Sequence, residues 1–210
     1  ASSAPRVFYV KRMTMETPRF DLHMHSICSD GADSPARVAA IAAGAGLCLM
    51  ALTDHDTVAG VPEAMAEGAR LGVRVLPAVE MDTEHPSEVH ILGIGIDPAH
   101  PELIAALDTA GRRRVERNRV ILERLKDAGY DIASAIDRPL FATTRLHIAH
   151  ALVGRGYAES IKDAFARYLR RGCLGYYTVE RFSPEQVLDL ITKAGGVPVW
   201  AHPFHAGDNI

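Results

Sequence analysis

The chain has 210 residues, of which 48% are hydrophobic, and its formal net charge is −3. This length supports one sizeable core, and the sequence contains no apolar run long enough to cross a bilayer, so we predict no association with a membrane. Three cysteines, an odd number without Cys-x-x-Cys spacing, argue against a disulfide scaffold or a cysteine zinc site and favour a cytoplasmic location.

The hydrophobic pattern predicts an α/β fold in which strands and helices alternate along most of the chain. Residues 1–18 lack a signal-peptide core and are predicted to be a flexible N-terminal extension or an expression remnant. The predicted elements that follow are a strand at 19–23, a helix at 34–45, a strand at 47–53, a helix at 60–71, strands at 73–80 and 88–96, a helix at 184–194 and a strand at 196–201. This alternation predicts parallel strands joined by right-handed crossovers.

Histidines and carboxylates recur at or beside the predicted strands. Side chains at the ends of neighbouring parallel strands converge, so we expect these groups to form one cluster. An imidazole and carboxylate donor set suits Mn, Zn or Fe(II) rather than Mg or Ca, so we predict a divalent first-row metal, with manganese as first choice and zinc or iron as alternatives. The predicted metal ligands are His23, His25, Asp30, His55, Glu80, His90 and His202.

Each motif taken alone has a simpler explanation. The His-x-His pair could be an ordinary polar pair, and Asp54 or Asp56 could cap a helix that begins near Pro62. Asp30 and Glu80 alone would be surface carboxylates. The metal site is favoured because several unrelated strand ends would otherwise each carry a costly polar group by accident.

The order of these motifs resembles that of the PHP (polymerase and histidinol phosphatase) family of metal-dependent phosphoesterases, over about residues 20–203. The resemblance rests on the His-x-His pair at 23–25, the Thr-Asp-His-Asp segment at 53–56, the Glu at 80 and the Ala-His-Pro segment at 201–203. It implies a distorted (β/α)7 barrel in which the seven ligands hold two or three divalent metal ions, with Asp30, His55 and Glu80 as the catalytic members. Such metals make hydroxide available at neutral pH and offset charge on the attacked phosphate.

Residues 98–178 break the alternation and are predicted to form an inserted helical domain between the barrel segments 19–97 and 179–210. The insert holds 14 Lys and Arg against 9 Asp and Glu, a net of +5, which leaves −8 for the remainder. A basic module facing an acidic metal-binding barrel suits a polyanionic substrate. The arginines could instead solvate the outer face of a helix around an apolar stripe of Val115, Leu122 and Leu125.

The sequence of the insert narrows the resemblance to one subgroup of the family. Its segments 112–118, 144–149 and 172–177 are similar to those of the PHP subgroup that removes the 3′-phosphate from nucleoside 3′,5′-bisphosphates and trims short RNA from the 5′ end. In that subgroup arginines grip the phosphate that is not cleaved. The resemblance therefore implies a substrate-phosphate site here, formed by Arg114, Arg117, Asn118 and Arg145.

The resemblance implies a cytoplasmic hydrolase acting on a nucleotide bisphosphate or a short 5′-phosphorylated oligoribonucleotide. Two alternatives stay open: a histidinol-phosphatase-like phosphomonoesterase, which would not need a basic lid, and a non-catalytic metal-stabilised PHP module. One departure favours the second alternative, because the family's last ligand pair, Asp-x-His, does not occur before Ile210. About five strands are predicted where a barrel needs seven or eight, so we expect the barrel to be incomplete at its C-terminal end.

Overall fold

The computed structural model describes residues 18–84 and 89–203. The predicted extension at 1–18 therefore lies almost wholly outside the described residues, as do residues 204–210 of the predicted last barrel segment. No helix within the described ranges combines the length and the apolar character that a membrane span requires. Cys28, Cys48 and Cys173 are all free thiols.

A mixed five-stranded sheet occupies the centre of the α/β fold, with the strands in the order of the chain. Its strands lie where the hydrophobic pattern predicts them: β1 Phe20–Met24, β2 Leu49–Leu52, β3 Arg74–Asp82, β4 His90–Ile94 and β5 Val197–Trp200. β1, β2 and β3 are parallel, whereas β4 runs antiparallel to both β3 and β5. The prediction of parallel pairing is therefore wrong for β4, because the short link from Asp82 to His90 leaves no room for a crossover helix.

The α-helices of the described ranges are α1 Pro35–Gly44, α2 Val61–Leu71, α3 Pro101–Asp127, α4 Arg145–Gly154, α5 Ile161–Ala164 and α6 Pro184–Lys193. The predicted helices α1, α2 and α6 are confirmed within one residue at each end. Ser34 and Ser183 cap α1 and α6, each followed by proline in the first turn. The alternative in which Asp54 or Asp56 caps α2 is wrong, because the residue at that cap is Gly60.

The long helix α3 joins two apolar cores. Leu103 and Leu107 in its first half pack in the core formed with β3, β4 and α6. Ile121 and Leu125 in its second half pack in a separate core with α4 and the segment that follows it. The later part of the insert thus has a core of its own, while α3 ties it to the sheet. An inserted domain bounded at 98–178 and a distorted (β/α)7 barrel that is incomplete at its C-terminal end stay predictions.

The buried face of α3 differs from the predicted apolar stripe. Leu125 is fully buried as expected, but Val115 is 37% exposed. The positions that face inward instead are Arg114, Arg117 and Asn118, each at most 5% exposed. The explanation that arginines of this helix solvate its outer face is therefore wrong for these two, and the insert directs positive charge into the protein.

Candidate metal centre and basic cluster

One edge of the sheet collects the predicted ligands. β1, β2 and β3 end at this edge, and β4 begins and β5 ends there because β4 is antiparallel to both its neighbours. His90 therefore reaches the cluster from the start of a strand, which is a geometry that the parallel prediction did not include. The edge brings together His23, His25, Asp30, His55, Glu80, His90 and His202.

Glu80 lies at the centre of the cluster and is 1% exposed. Its Oε2 is 3.0 Å from Nε2 of His23 and 3.2 Å from Nε2 of His25. Its Oε1 is 3.0 Å from Nδ1 of His90 and 3.2 Å from Nε2 of His202. One buried carboxylate is thus surrounded by four imidazoles, two from β1 and the residue after it, one from the start of β4 and one that follows β5.

Asp30 occupies a second position beside Glu80. Its oxygens lie 3.2 Å from Nδ1 of His25 and 3.5 Å from Nε2 of His55. Three overlapping triplets of donor atoms are each compact enough to hold an ion, with all atoms of a triplet within 4.8 Å of one another. The triplets are His23, His25 and Glu80; His25, Asp30 and His55; and His55, Glu80 and His90. His202 contacts Glu80 but belongs to none of the three.

Electrostatics in the cluster favour charged carboxylates. Burial opposes the ionisation of Glu80, but hydrogen bonds from His23, His25 and His90 outweigh it and hold its pKa well below its usual range. Burial likewise opposes the positive charge of His55, yet hydrogen bonds to two carboxylates, those of Asp30 and Asp82, raise its pKa. The carboxylates are therefore ionised at neutral pH and available to cations.

The donor set fits divalent first-row metals. Imidazole nitrogens and carboxylate oxygens are ligands that Zn, Mn and Fe share, and each triplet contains both kinds. The triplets overlap through His25, His55 and Glu80, so ions held in them would be close neighbours. The neighbouring carboxylates raise the pKa values of His55 and His90, so metal binding must compete with protons at these two imidazoles.

Asp54 holds the loop that carries Asp30, a role that the sequence reasoning missed. Its carboxylate is 1% exposed and accepts hydrogen bonds from the backbone N–H of Ser26 at 2.7 Å and from the Ser26 hydroxyl at 2.7 Å. The Ser29 hydroxyl donates to the same carboxylate at 2.6 Å. Gly31 closes this turn, since a Cβ there would overlap the His25 carbonyl. The serines of the 26–29 segment were the available signal.

Asp82 is a second carboxylate that the sequence reasoning missed. Its Oδ1 lies 3.1 Å from Nδ1 of His55 and 3.5 Å from Nε2 of His90. It follows Glu80 by two residues in β3, so both side chains point to the same face of the strand. This alternation was the signal that could have identified it.

Arg114 connects α3 to the cluster. Its guanidinium forms ion pairs with Asp56 and, at 3.2 Å, with Asp82. Burial would lower its pKa, but the charges of both carboxylates raise it. The predicted contact of Arg114 with substrate phosphate stays a prediction; here two protein carboxylates occupy its Nη2.

Arg117 combines deep burial with little charge compensation. It is 4% exposed, and no ion pair of Arg117 occurs within the described part of the chain. Its guanidinium donates to Oδ1 of Asn118, at 3.1 Å from Nη2. Burial and the like charges of Arg114 and Arg145 lower its pKa. A buried guanidinium among other cations is stabilised by an anion, which makes this position a candidate anion site.

The side-chain amide of Asn118 connects α3 to the segment 140–143. Its Nδ2 donates to the carbonyl oxygens of Leu140 at 2.8 Å and Thr143 at 2.7 Å, which uses both amide hydrogens. The predicted contact of Asn118 with phosphate stays a prediction, and in this structure the side chain orients Arg117 instead.

Arg145 lies at the start of α4 on the same side of the insert. Its Nη2 donates to the Tyr177 carbonyl at 3.3 Å, and its guanidinium lies 5.7 Å from the centre of the Tyr176 ring. Arg181 also acts electrostatically on Arg117 and was absent from the predicted set. Arg114, Arg117, Arg145 and Arg181 are referred to below as the basic cluster.

Two non-glycine residues at the site have a left-handed backbone. Asp56 has φ 52° and His202 has φ 32°, and these are the positive values among non-glycine residues of the described ranges. Such conformations cost free energy and concentrate at functional sites. They place one side chain against Arg114 and the other against Glu80.

Comparison with known proteins decides the family. The PHP domain matches residues 21–171. The chain belongs to the PHP family. Six of the seven predicted ligands of this PHP protein lie inside the matched range, and His202 lies beyond it.

Two curated proteins are similar to this PHP chain over most of its length. A protein of Chromobacterium violaceum named 3′,5′-nucleoside bisphosphate phosphatase is 40% identical over 190 residues, which cover 87% of this chain and 66% of that protein. The 5′-3′ exoribonuclease Rnm of Salmonella typhimurium is 38% identical over 192 residues, which cover 88% of this chain and 65% of that protein. The chain thus spans about two thirds of the length of these relatives.

A solved structure extends the comparison to the fold. It is that of an amidohydrolase from Chromobacterium violaceum with bound sulfate and no metal, and it superposes with a TM-score of 0.81 at 39% sequence identity. The match covers 88% of this chain and 67% of that chain. The α/β fold described above is therefore shared with this solved structure.

Proposed function

We propose that this PHP protein is a metal-dependent phosphoesterase that removes the 3′-phosphate from nucleoside 3′,5′-bisphosphates. Short 5′-phosphorylated oligoribonucleotides are a second proposed substrate, because their cleavage breaks the same type of bond, between phosphorus and O3′. The observation that carries the proposal is the buried Arg117 beside the histidine and carboxylate cluster. A second anion-binding position next to a candidate metal centre suits a substrate with two phosphates.

The proposed ligands of the metals are His23, His25, Asp30, His55, Glu80, His90 and His202, with Asp30, His55 and Glu80 as catalytic members. Manganese is our first choice, and two or three ions fit the overlapping triplets. When bound, such ions lower the pKa of water and offset the charge of a phosphate. The chain's own contribution is to hold the ligands in place, through Asp54 for the loop of Asp30 and through Asp82 for His55.

The proposed grip on the uncleaved 5′-phosphate comes from the basic cluster. Arg117 and Arg145 are the main contacts, because a guanidinium binds phosphate through two parallel hydrogen bonds. Asn118 orients Arg117, and Arg114 adds positive charge while paired with Asp56 and Asp82. The grip fixes the nucleotide so that its 3′-phosphate lies at the metal centre. Water then adds to phosphorus, the P–O3′ bond breaks, and O3′ takes up a proton.

The similarity to a bisphosphate phosphatase and to an exoribonuclease supports this substrate class. A histidinol-phosphatase-like activity and a non-catalytic module are less favoured, because neither needs a basic cluster beside the ligands. The proposed location is the cytoplasm, in keeping with three free thiols.

A substrate panel tests the proposal. Phosphate release is measured from a nucleoside 3′,5′-bisphosphate, histidinol phosphate and a sugar phosphate, with manganese and with a chelator. We expect the bisphosphate to be hydrolysed fastest, and we expect chelation to abolish the activity. Preference for histidinol phosphate would replace the proposal with the first alternative, and no hydrolysis by the manganese-loaded protein would support the second.

A further inference from the structure

A second basic cavity lies in the insert, apart from the basic cluster. Its volume is about 440 Å³, and it is lined by Asp137, Arg138, His147, His150 and Arg155 among others. This size is within the range of small-ligand sites. Two arginines and two histidines face one acid, and none of these residues belongs to the proposed ligands or to the basic cluster. We call it the α4 cavity.

The α4 cavity adjoins the Asp30 side of the metal centre. Nη1 of Arg138 donates to the carbonyl oxygen of Ser29 at 3.1 Å, directly before Asp30 in the chain. Burial and the charge of Arg138 lower the pKa of His147, while the nearby charge of Asp30 opposes this shift. Arg114 in the basic cluster instead contacts Asp82. The two basic regions therefore adjoin different members of the candidate metal centre.

Cleavage of an oligonucleotide requires a second binding region, for the nucleotide that follows the scissile phosphate. When water adds to the phosphorus and the P–O3′ bond breaks, the first nucleotide leaves with a free 3′-hydroxyl. The attacked phosphorus keeps its bond to O5′ of the following nucleotide, which becomes the new 5′-phosphorylated end. That nucleotide extends away from the metal centre, and it cannot occupy the basic cluster because the first nucleotide's 5′-phosphate is held there.

We propose that the α4 cavity binds the nucleotide that follows the scissile phosphate of a short oligoribonucleotide. This inference rests on the proposed function, since it assumes cleavage of the P–O3′ bond at the metal centre. Arg138 lies where the cavity meets the loop of Asp30, while the exposed His150 lies in α4 and the exposed Arg155 caps the C-terminal end of that helix. Arg138, His150 and Arg155 line one cavity from different parts of the insert, which suits a sugar-phosphate backbone with its next phosphate at Arg155. A mononucleotide bisphosphate has no group that reaches them.

The test compares two substrates in the same variants. His150→Ala and Arg155→Ala are made singly and together, because both residues are exposed and neither touches the metal centre. Arg70→Ala, an exposed arginine of α2 paired with Glu67, is the matched control. The kcat/KM is measured for a nucleoside 3′,5′-bisphosphate and for a 5′-phosphorylated trinucleotide RNA, over a range of salt concentrations.

We expect kcat/KM of the double variant to fall at least about 5-fold on the trinucleotide and to stay unchanged on the bisphosphate. Its salt dependence on the trinucleotide should flatten, by about 0.7 in the slope of log kcat/KM against log salt for each phosphate that the protein no longer neutralises. A merely structural role would reduce both activities equally and leave the slope unchanged, which would overturn the inference.

Failure of the inference is distinguishable from failure of the proposed function. If the unmodified protein hydrolyses the bisphosphate but its activity on RNA is absent or insensitive to the double variant, only the α4 cavity assignment is wrong. If it hydrolyses neither substrate with manganese present, the proposed function is wrong and the inference falls with it.

Discussion

Asp82 and His55 are joined by a 3.1 Å hydrogen bond between Oδ1 and Nδ1. This contact leaves Nε2 of His55 facing Asp30 and Glu80, so it selects the nitrogen that is offered to a metal. Arg114 contacts the other oxygen of Asp82 at 3.2 Å. The helix α3 is thereby connected to the metal centre through two side chains that are not themselves proposed ligands.

The first prediction concerns Asp82. In Asp82→Asn the negative charge opposite His55 and Arg114 is removed, so we expect metal affinity to fall by about 10- to 100-fold, as is typical when a partner of a ligand is removed. Titration of the metal-free protein with manganese measures it. Asp189→Asn, on the exposed face of α6, is the control. Unchanged affinity in Asp82→Asn would show that the contact does not orient His55.

The second prediction concerns the turn that carries Asp30. A Cβ at Gly31 would overlap the His25 carbonyl and lie 2.7 Å from Cα of Ser26, and all three contacts are with backbone atoms. We therefore expect Gly31→Ala to shift the turn, lower manganese occupancy and reduce activity by about tenfold or more. Gly44→Ala, at the end of α1 with open space around it, should behave like the unmodified protein. Full occupancy in Gly31→Ala would contradict this account of the turn.

The third prediction concerns pH and metal together. The pKa of His55 is raised above its usual 6.5, so the stability from its protonated form is present below about pH 6.5 and is lost as the pH rises. The pKa of Glu80 is lowered from its usual 4.5, so its contribution is present above about pH 4.5 and is lost as the pH falls. The metal-free protein should therefore be most stable between these two values.

Thermal unfolding midpoints at about pH 5.5, 7 and 8.5 measure this dependence. With a chelator present, we expect the midpoint to fall as the pH rises from 5.5 to 8.5. With manganese present, we expect the opposite trend, because the metal requires neutral imidazoles. A midpoint that rises with pH in the chelator would show that the histidines are not paired with carboxylates in the metal-free state.

The fourth prediction concerns Arg145. If it contacts the 5′-phosphate, Arg145→Ala should lower kcat/KM on the bisphosphate by about 10- to 150-fold, the range for one charged hydrogen bond. Activity on a nucleoside 3′-monophosphate, which lacks that phosphate, should change little. Arg119→Ala, on the exposed face of α3, is the control. Equal losses on both substrates would assign Arg145 a structural role.

The sequence predicted the strands and the helices α1, α2 and α6 because each carries a clear apolar period bounded by turn residues or a cap. It also predicted which seven side chains converge, since histidine at a strand end is conspicuous. It did not predict the reversal at β4, because short apolar runs have the same pattern in parallel and antiparallel pairs. The link between Asp82 and His90 is too short for a crossover helix, and this shortness was the feature that indicated antiparallel pairing.

The sequence was less informative about the partners of the ligands. Asp54 and Asp82 look like ordinary carboxylates, and only the fold brings them to Ser26 and His55. The burial of Arg114 and Arg117 was also hidden, because helical periodicity alone does not distinguish an arginine on a buried face from one on a solvated face. Sequence patterns indicate which residues share a face of one helix or strand, but they do not indicate which side chains of different elements will contact each other.

The most direct measurement of the central claim is the ratio of kcat/KM for a nucleoside 3′,5′-bisphosphate to that for the matching nucleoside 3′-monophosphate, with the manganese-loaded protein. Both substrates present the same 3′-phosphate to the metal centre, so only the 5′-phosphate and its contact with Arg117 and Arg145 differ. We predict a ratio of at least about 10, from one charged hydrogen bond or more. A ratio near one, or hydrolysis that persists after the metal is removed, would contradict the account.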